Sequence, residues 1–596
     1  MSDTILDRRD LRFQLFDVLD TGALFDRERF REHSRETVEA ALDTAEKLAR
    51  EKFASHNSLA DGDEPRFENG KVVMRPEVKE AYDAYIEAGF LSSMASFEEG
   101  GMQLPAIAAA ACKGMFTAAN CSSTSYPFLT AAAANVIRNF ASETLREQFL
   151  PAMMAGRFTG TMALTEPHAG SNLADIRTRA LPQEDGSYRL KGNKIFISGG
   201  DNELAENIVH LVLAKIPGGP DGVKGISLFV VPKYRLDGQG NPADRNDVIL
   251  AGLIHKMGYR GTTSTALTFG DNDDCHGYLI GEPHQGLRYM FQMMNEARVG
   301  VGFGAAVLGY RGYRFALDYA RDRLQGRPLG TTDFSTPQVP IIEHADVRRL
   351  LLTQKAYTEA AIAMCLYGYR LVDEKDTAED QQARQDADLL LDLLTPVLKT
   401  WPSEYGVMAN DLAIQVFGGA GYTREYPVEQ YWRDNRLNPI HEGTTGIHGL
   451  DLLGRKVWLA GGRGLQLLAE RISADIAATT DPRCQPFASA LQAMLPKVQQ
   501  ATDVVGRQMQ SEGPGRALSN AYAYLRLVGH VVAAWMWLRQ ANAALKLEAA
   551  EDADFAAGKL QAARYFFRWE LSRVELDFER LCEGDDTFTQ MEPRWF

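Results

Sequence analysis

Cysteine is scarce. Six residues, at 112, 121, 275, 365, 484 and 582, are spread through 596 positions, and no two form a C-x-x-C pair. That spacing supports neither a zinc site nor a dithiol redox motif, so no metal is expected, and the sparsity fits a reducing cytoplasm. Long apolar runs are also missing. The best candidate, around Ala106–Ala119, is interrupted by Lys113 and falls short of the roughly 18 residues a membrane span needs. Positive charge is in deficit, with a net charge of −15. This argues against a nucleic-acid partner, which needs a basic face. The opening MSDTILDRRDLRF mixes both signs of charge and has neither an apolar h-region nor the Arg/Ser-rich, acid-poor texture of a transit peptide. The expected location is the cytoplasm, with contact at a membrane surface left open.

What is present changes texture along the chain. Residues 1–158 read as helical: Asp26–Glu51 and Glu77–Phe90 repeat apolar positions at three and four. From 159 to 283 alternation and turn signals take over, with strands expected over Ser187–Ser198, Ile208–Lys215 and Gly225–Val231 and a polar loop over Asp237–Asp247. Helical periodicity returns over 284–463, in Tyr289–Leu308, Tyr310–Arg323 and Val347–Glu374, with Glu374–Asp386 as an exposed charged connection. A last helical block covers 464–596, where Leu525–Trp537 forms an apolar face that either packs inside the chain or meets a membrane. The fold class is mainly α with a central β domain and an extra C-terminal helical domain.

Separated motifs carry the chemistry. In MALTEPHAGSN, from Met162 to Asn172, the small residues Ala169, Gly170 and Ser171 let a ligand approach the backbone, though a Pro/Gly turn gives the same pattern. In KIFISGG, Phe196 and Ser198 share one strand face by period two; a core Phe is the plainer reading. In MMNEAR, Asn295 and Arg298 share a helix face by spacing three, which an exposed helical Arg also satisfies. MGYRG (257–261), YARDRLQGRP with Arg323, QVFGGAG (415–421) and WRDNRLNPIHEGTTG (432–446) follow. An isolated Glu before Gly, such as Glu442, is ordinarily a solvated loop residue.

Together these motifs resemble those of the acyl-CoA dehydrogenases over roughly residues 80–460, in the same helical, β, helical order. The final block resembles the extension of the longer bacterial members. The resemblance implies FAD as cofactor and an acyl-CoA thioester as substrate, oxidised to a trans-2-enoyl-CoA in fatty-acid β-oxidation or related catabolism. It makes Glu442 of the EGT signature the catalytic base. It places Met162, Leu164, Thr165, Gly170, Ser171, Phe196, Ser198 and Thr444 at the flavin, with Arg323, Gln415, Gly418 and Gly419 reaching FAD across a subunit interface. It places Ser171, Asn295, Arg298 and Gly443 at the substrate. Glu296 is not assigned as base: in branched-chain members the base comes from this helix, but the matching position is Ala297. Asn172 stands where the family has Asp, Gln325 precedes Gly326 without the usual aromatic, and Gly446 stands where many members have Gln.

The implied electron acceptor is electron-transfer flavoprotein and the implied assembly a homodimer. Two alternatives share the fold: an acyl-CoA oxidase, and a non-enzymatic DNA-associated flavoprotein, which the charge balance of the last block disfavours. Acyl chain length, and a small substrate such as 3-(methylthio)propanoyl-CoA against longer fatty acyl groups, stay open.

Overall fold

The computed structural model describes residues 4–333, 335–547 and 552–596, with backbone only at 291–294. Two compact units emerge: Glu39–Leu104 with Met115–Ala297, and Met1–Val38 with Pro105–Gly114 and Arg298–Phe596.

The helices named below are α1 (Arg35–Leu48), α2 (Pro76–Glu87), α3 (Ala106–Ala119), α4 (Cys121–Phe140) and α5 (Glu143–Met154). They continue with α6 (Gly286–Asp322), α7 (Ala345–Thr377), α8 (Gln381–Phe417), α9 (Val428–Asn435) and α10 (Thr445–Gly454). The last block holds α11 (Arg463–Ala478), α12 (Gln485–Ser511), α13 (Ala521–Ala544), α14 (Ala553–Tyr565) and α15 (Glu575–Glu583).

The Glu39–Leu104 and Met115–Ala297 unit is built on β1 (Phe158–Ala163), β2 (Arg179–Pro182), β3 (Tyr188–Ser198), β4 (Asn207–Lys215), β5 (Ile226–Pro232), β6 (Val248–Leu253), β7 (Ser264–Phe269) and β8 (His276–Leu279). The strand order is β6-β7-β3-β8-β5-β4-β1, and β2 pairs with both β3 and β4. The ring β3-β8-β5-β4-β2 therefore closes on itself, which leaves those strands no free edge. Strands β4 and β5 are apolar almost throughout and buried on both faces; one face is covered by α4, where a Cβ on Gly160 would lie 2.6 Å from Ala133 Cβ. The region read as purely helical also contains a hairpin, Arg66–Glu68 with Lys71–Val73. Its turn residues Asn69 and Gly70 both have positive φ, the Asn-Gly signature of a tight hairpin. The loop expected over Asp237–Asp247 likewise contains a strand, Pro242–Arg245, paired with Tyr234–Leu236.

In the other unit α7 and α8 run antiparallel. The charged connection expected over Glu374–Asp386 shrinks to Ala378–Asp380, where Asp380 caps α8 by accepting from Ala383 N–H. The stretches read as two helices around Gly309 are one helix, α6, because Gly309 serves close packing: an added Cβ would lie 3.0 Å from Gly406 Cα on α8. At Gly302 it would meet Leu398 O at 1.9 Å. Pro402 gives α8 no N–H to donate to Leu398 O, and Cys365 Sγ donates there instead at 3.6 Å.

The last block packs onto this bundle. Leu525–Trp537 of α13 is buried, Trp535 and Trp537 almost completely, so the membrane-contact reading of that face is overturned. Gly529 lets Trp401 of α8 approach, since a Cβ would sit 2.7 Å from its ring. Lys559 of α14 is buried among Asp10, Glu359 and Gln540, at 2.7 Å from Glu359. Among the described residues no helix is long and apolar enough to cross a membrane, none of the His/Cys/Asp/Glu groups could hold a metal, and the six cysteines are free thiols.

Candidate active site

In the barrel unit, a buried ion pair joins two of the motifs. Lys194 Nζ donates to Glu166 Oε1 and to Leu164 O, each at 2.9 Å. Glu166 also accepts from Arg177 N–H, Thr178 N–H and the Thr178 hydroxyl. Burial pushes both groups toward their neutral forms. For Glu166 the pairing with Lys194 and the other donors overcomes this and holds the carboxyl below its usual range. Lys194, with one carboxylate, is drawn down to about 8. Ile195 N–H donates to Thr165 O at 3.0 Å, so the TEP loop is fastened to β3 along its length.

The register between β3 and β7 slips between Thr265 and Leu267, a bulge that puts Phe196 at φ 60°. Bulges re-aim side chains, and Phe196 is 62% exposed beside the exposed Ser198. A bare aromatic face next to a hydroxyl, with the open residues Gly170 and Ser171 on the adjoining loop, fits a flat ring system with polar edges. Leu164, Thr165 and Met162 are half-buried along the same loop and strand. Asn172 accepts from Ala174 N–H at 2.9 Å and caps a short turn, which an Asp would do equally.

In the helical unit, Glu442 and Gly443 stand in succession at φ 53° and 92°. Glu442 is solvent-accessible and still crowded by protein. That crowding favours the neutral acid and raises its pKa above the ordinary value, opposed by Arg298 and then Lys399. The amide N–H of Glu442 meets no acceptor among the described residues. Its carbonyl accepts from His448 Nε2 at 3.0 Å. Gly443 cannot carry a side chain, since a Cβ would lie 2.8 Å from that nitrogen. Thr444 caps α10 by accepting from Ile447 N–H, and Gly446 borders open space.

Behind the turn, Lys399 Nζ donates to Asn438 O and Gly443 O, each at 2.7 Å. An amide chain continues from it. His441 Nε2 donates to Asn438 Oδ1 (3.1 Å), Asn438 Nδ2 to Asn435 Oδ1 (2.9 Å), Asn435 Nδ2 to Asn410 Oδ1 (2.7 Å) and Asn410 Nδ2 to Leu308 O (3.0 Å). Arg298 is buried, which disfavours its charge and lowers its pKa, with Asp451, Glu442 and Asp392 opposing; it is not an exposed helical Arg. The structure thus brings Glu442, Gly443, Thr444 and Arg298 together. Asn295 is half-buried, and Arg323, Gln415, Gly418 and Gly419 lie on exposed surface. Sequence reasoning missed Lys399, Asn410, Asn435, Asn438, His441 and His448. The spacing of three in Asn435, Asn438 and His441, and a lone Lys in the apolar run LLTPVLKTW, were the available signals.

Residues 35–157, 161–272 and 284–457 match the acyl-CoA dehydrogenase N-terminal, middle and C-terminal domains, and 468–592 an acetyl-CoA dehydrogenase C-terminal-like domain. The 3-methylmercaptopropionyl-CoA dehydrogenase of Ruegeria pomeroyi is 35% identical over 97% of this chain and 98% of its own. The chain belongs to the acyl-CoA dehydrogenase family. That family's members are FAD-binding oxidoreductases. The broad-specificity linear acyl-CoA dehydrogenase FadE5 of Mycobacterium tuberculosis is 33% identical over 94% of both chains. The fold is shared with Caenorhabditis elegans ACDH-11 in complex with C11-CoA (TM-score 0.77, 19% identity, 97% of this chain and 96% of that one). It is shared too with a Bacillus anthracis acyl-CoA dehydrogenase complexed with FAD (TM-score 0.75, 20% identity, 92% and 88%).

Proposed function

We propose that the protein oxidises an acyl-CoA thioester to a trans-2-enoyl-CoA, with Glu442 as the base that takes the α-proton. The observation that carries this reading is the Glu442 turn. A carboxylate in water is a poor base for a thioester α-proton; a neighbourhood that disfavours its charge makes it more basic. The unbonded Glu442 N–H is a fixed donor for the thioester oxygen as negative charge develops there, an oxyanion-type stabilisation. Arg298 is given to CoA by resemblance. It is proposed to meet CoA on that resemblance, and from its buried position it also opposes the rise in the Glu442 pKa.

Bound FAD would supply the two-electron acceptor for the β-hydrogen. Phe196 would flank its ring and Ser198 would donate to it. Met162, Leu164, Thr165, Gly170 and Ser171 would line its edge and pyrophosphate, and the resemblance gives Thr444 to the same cofactor. Arg323, Gln415, Gly418 and Gly419, exposed in the single chain, would complete the site of a second copy in a homodimer. Ser171, Asn295 and Gly443 would meet the substrate. Electron-transfer flavoprotein is the proposed acceptor and the cytoplasm the proposed location. The relatives' names put a short methylthio acyl group and linear acyl chains on the substrate panel.

Anaerobic titration of the FAD-loaded protein with short to long acyl-CoAs, including 3-(methylthio)propanoyl-CoA, tests this by loss of the visible flavin band. Bleaching by one length class is expected. No bleaching by any thioester overturns the reading, and peroxide formation in air would favour the oxidase.

A further inference from the structure

Building on the assignment of Glu442 as base, we propose that Lys399 and His448 are positioning residues that hold the Glu442 turn from its inner side, fixing three of its carbonyls so that the carboxylate and amide N–H keep one orientation toward a thioester. The geometry is specific. The Lys399 ammonium binds one carbonyl four residues before Glu442 and one immediately after it, so a single buried group ties both ends of the turn. His448 binds the carbonyl between them, that of Glu442 itself. A donor to a carbonyl must carry its proton on Nε2. Burial, then Lys399, Arg298 and Lys456, keep the ring neutral with a pKa of about 3.

These bonds have a conformation to maintain. A non-glycine residue at positive φ is strained and persists only where its surroundings over-determine it. At Glu442 the C-terminal peptide units are held by His448 and Lys399. On the N-terminal side the His441 ring is held by the asparagine chain that ends on α6. Lys399 makes these bonds with its side chain fully buried, and burial draws its pKa down to about 7, with Glu442 opposing. The charged and titratable groups facing it are Glu442, Arg298 and Glu404, together with the neutral rings of His441 and His448. A charged Lys399 lowers the pKa of Glu442, so its removal raises that pKa and moves the acid limb of the reaction to higher pH.

The test uses FAD-loaded full-length Lys399→Met, His448→Leu and His448→Gln, mixed anaerobically with butyryl-CoA from mildly acidic to mildly alkaline pH. A longer linear acyl-CoA replaces butyryl-CoA if the wild type prefers it. Loss of positioning should slow the limiting bleaching rate about 10- to 100-fold in Lys399→Met and His448→Leu. Half-saturating acyl-CoA should move less than about threefold, the mark of an interaction made in the transition state. Lys399→Met should also shift the acid limb upward, which mere loosening of the fold would not do. His448→Gln keeps an N–H donor and should recover most of the rate. If Lys399→Met fails to fold, the two His448 variants decide. Wild-type rate and limb in Lys399→Met and His448→Leu, or a His448→Gln as slow as His448→Leu, overturns the proposal. A Glu442→Gln control separates the two layers. If it bleaches normally, the base assignment falls; if it is inactive while the positioning variants behave as wild type, only this inference falls.

Discussion

Two buried lysines, Lys194 in the barrel unit and Lys399 in the helical unit, answer the same desolvation with different partners. Lys194 meets a carboxylate, Glu166, and its pKa falls to about 8. Lys399 meets two backbone carbonyls, and its pKa falls to about 7. Burial dominates both shifts; Glu166 opposes it at Lys194, and Glu442 then Glu404 oppose it at Lys399. The Glu166 pair fastens a loop by a lock between side chains, while Lys399 fastens one through the backbone. The first kind of lock marks the sequence at both ends, in TEP and in KIFIS. The second marks it only at the lysine, because any residue can supply a carbonyl.

The largest loss is expected at the group Lys399 serves. Glu442→Gln should lower acyl-CoA-driven flavin bleaching by about 10²–10⁴-fold, the usual scale of a lost general base, with FAD content and dithionite reduction unchanged. Next, Lys194→Met leaves Glu166 buried without its cation and should cost about 3–5 kcal/mol in urea unfolding. Lys399→Met leaves carbonyls unpaired rather than a charge, at about 1–3 kcal/mol each. A loss of under about 1 kcal/mol in Lys194→Met would refute the charged lock at Glu166.

The bleaching rate in the wild type should rise with pH through the pKa of Glu442, because the base acts when deprotonated. Since protein around Glu442 raises that pKa, the limb should lie above the ordinary value of about 4.3. A limb at or below that value would contradict the crowded site. The smallest expected effect is at Phe196. Exposed as it is, Phe196→Ala should leave thermal unfolding of the FAD-free chain within about 0.5 kcal/mol while weakening FAD retention on dilution.

Much of the fold was legible because periodicity follows burial. The strands over Tyr188–Ser198, Asn207–Lys215 and Ile226–Pro232 lie within two residues of where alternation and apolar runs put them. What was missed depends on contacts between distant segments. Gly309 reads as a helix break, yet it lies inside α6 because α8 needs its bare face. The apolar face of α13 leaves a membrane surface open as an alternative to internal packing until α8 and α10 are seen to cover it. At the site, EGT marked Glu442, whereas the asparagine chain from Leu308 to His441 joins three separate segments through amides that are unremarkable one at a time.

On the proposed function, the Glu442 turn removes the α-proton. The direct measurement is anaerobic flavin bleaching with α-deuterated and protiated forms of whichever acyl-CoA bleaches best, in wild type and Glu442→Gln side by side. Deuterium should slow the wild type, and Glu442→Gln should scarcely bleach with either form. Bleaching in Glu442→Gln at the wild-type rate, with the same isotope effect, would place the base elsewhere.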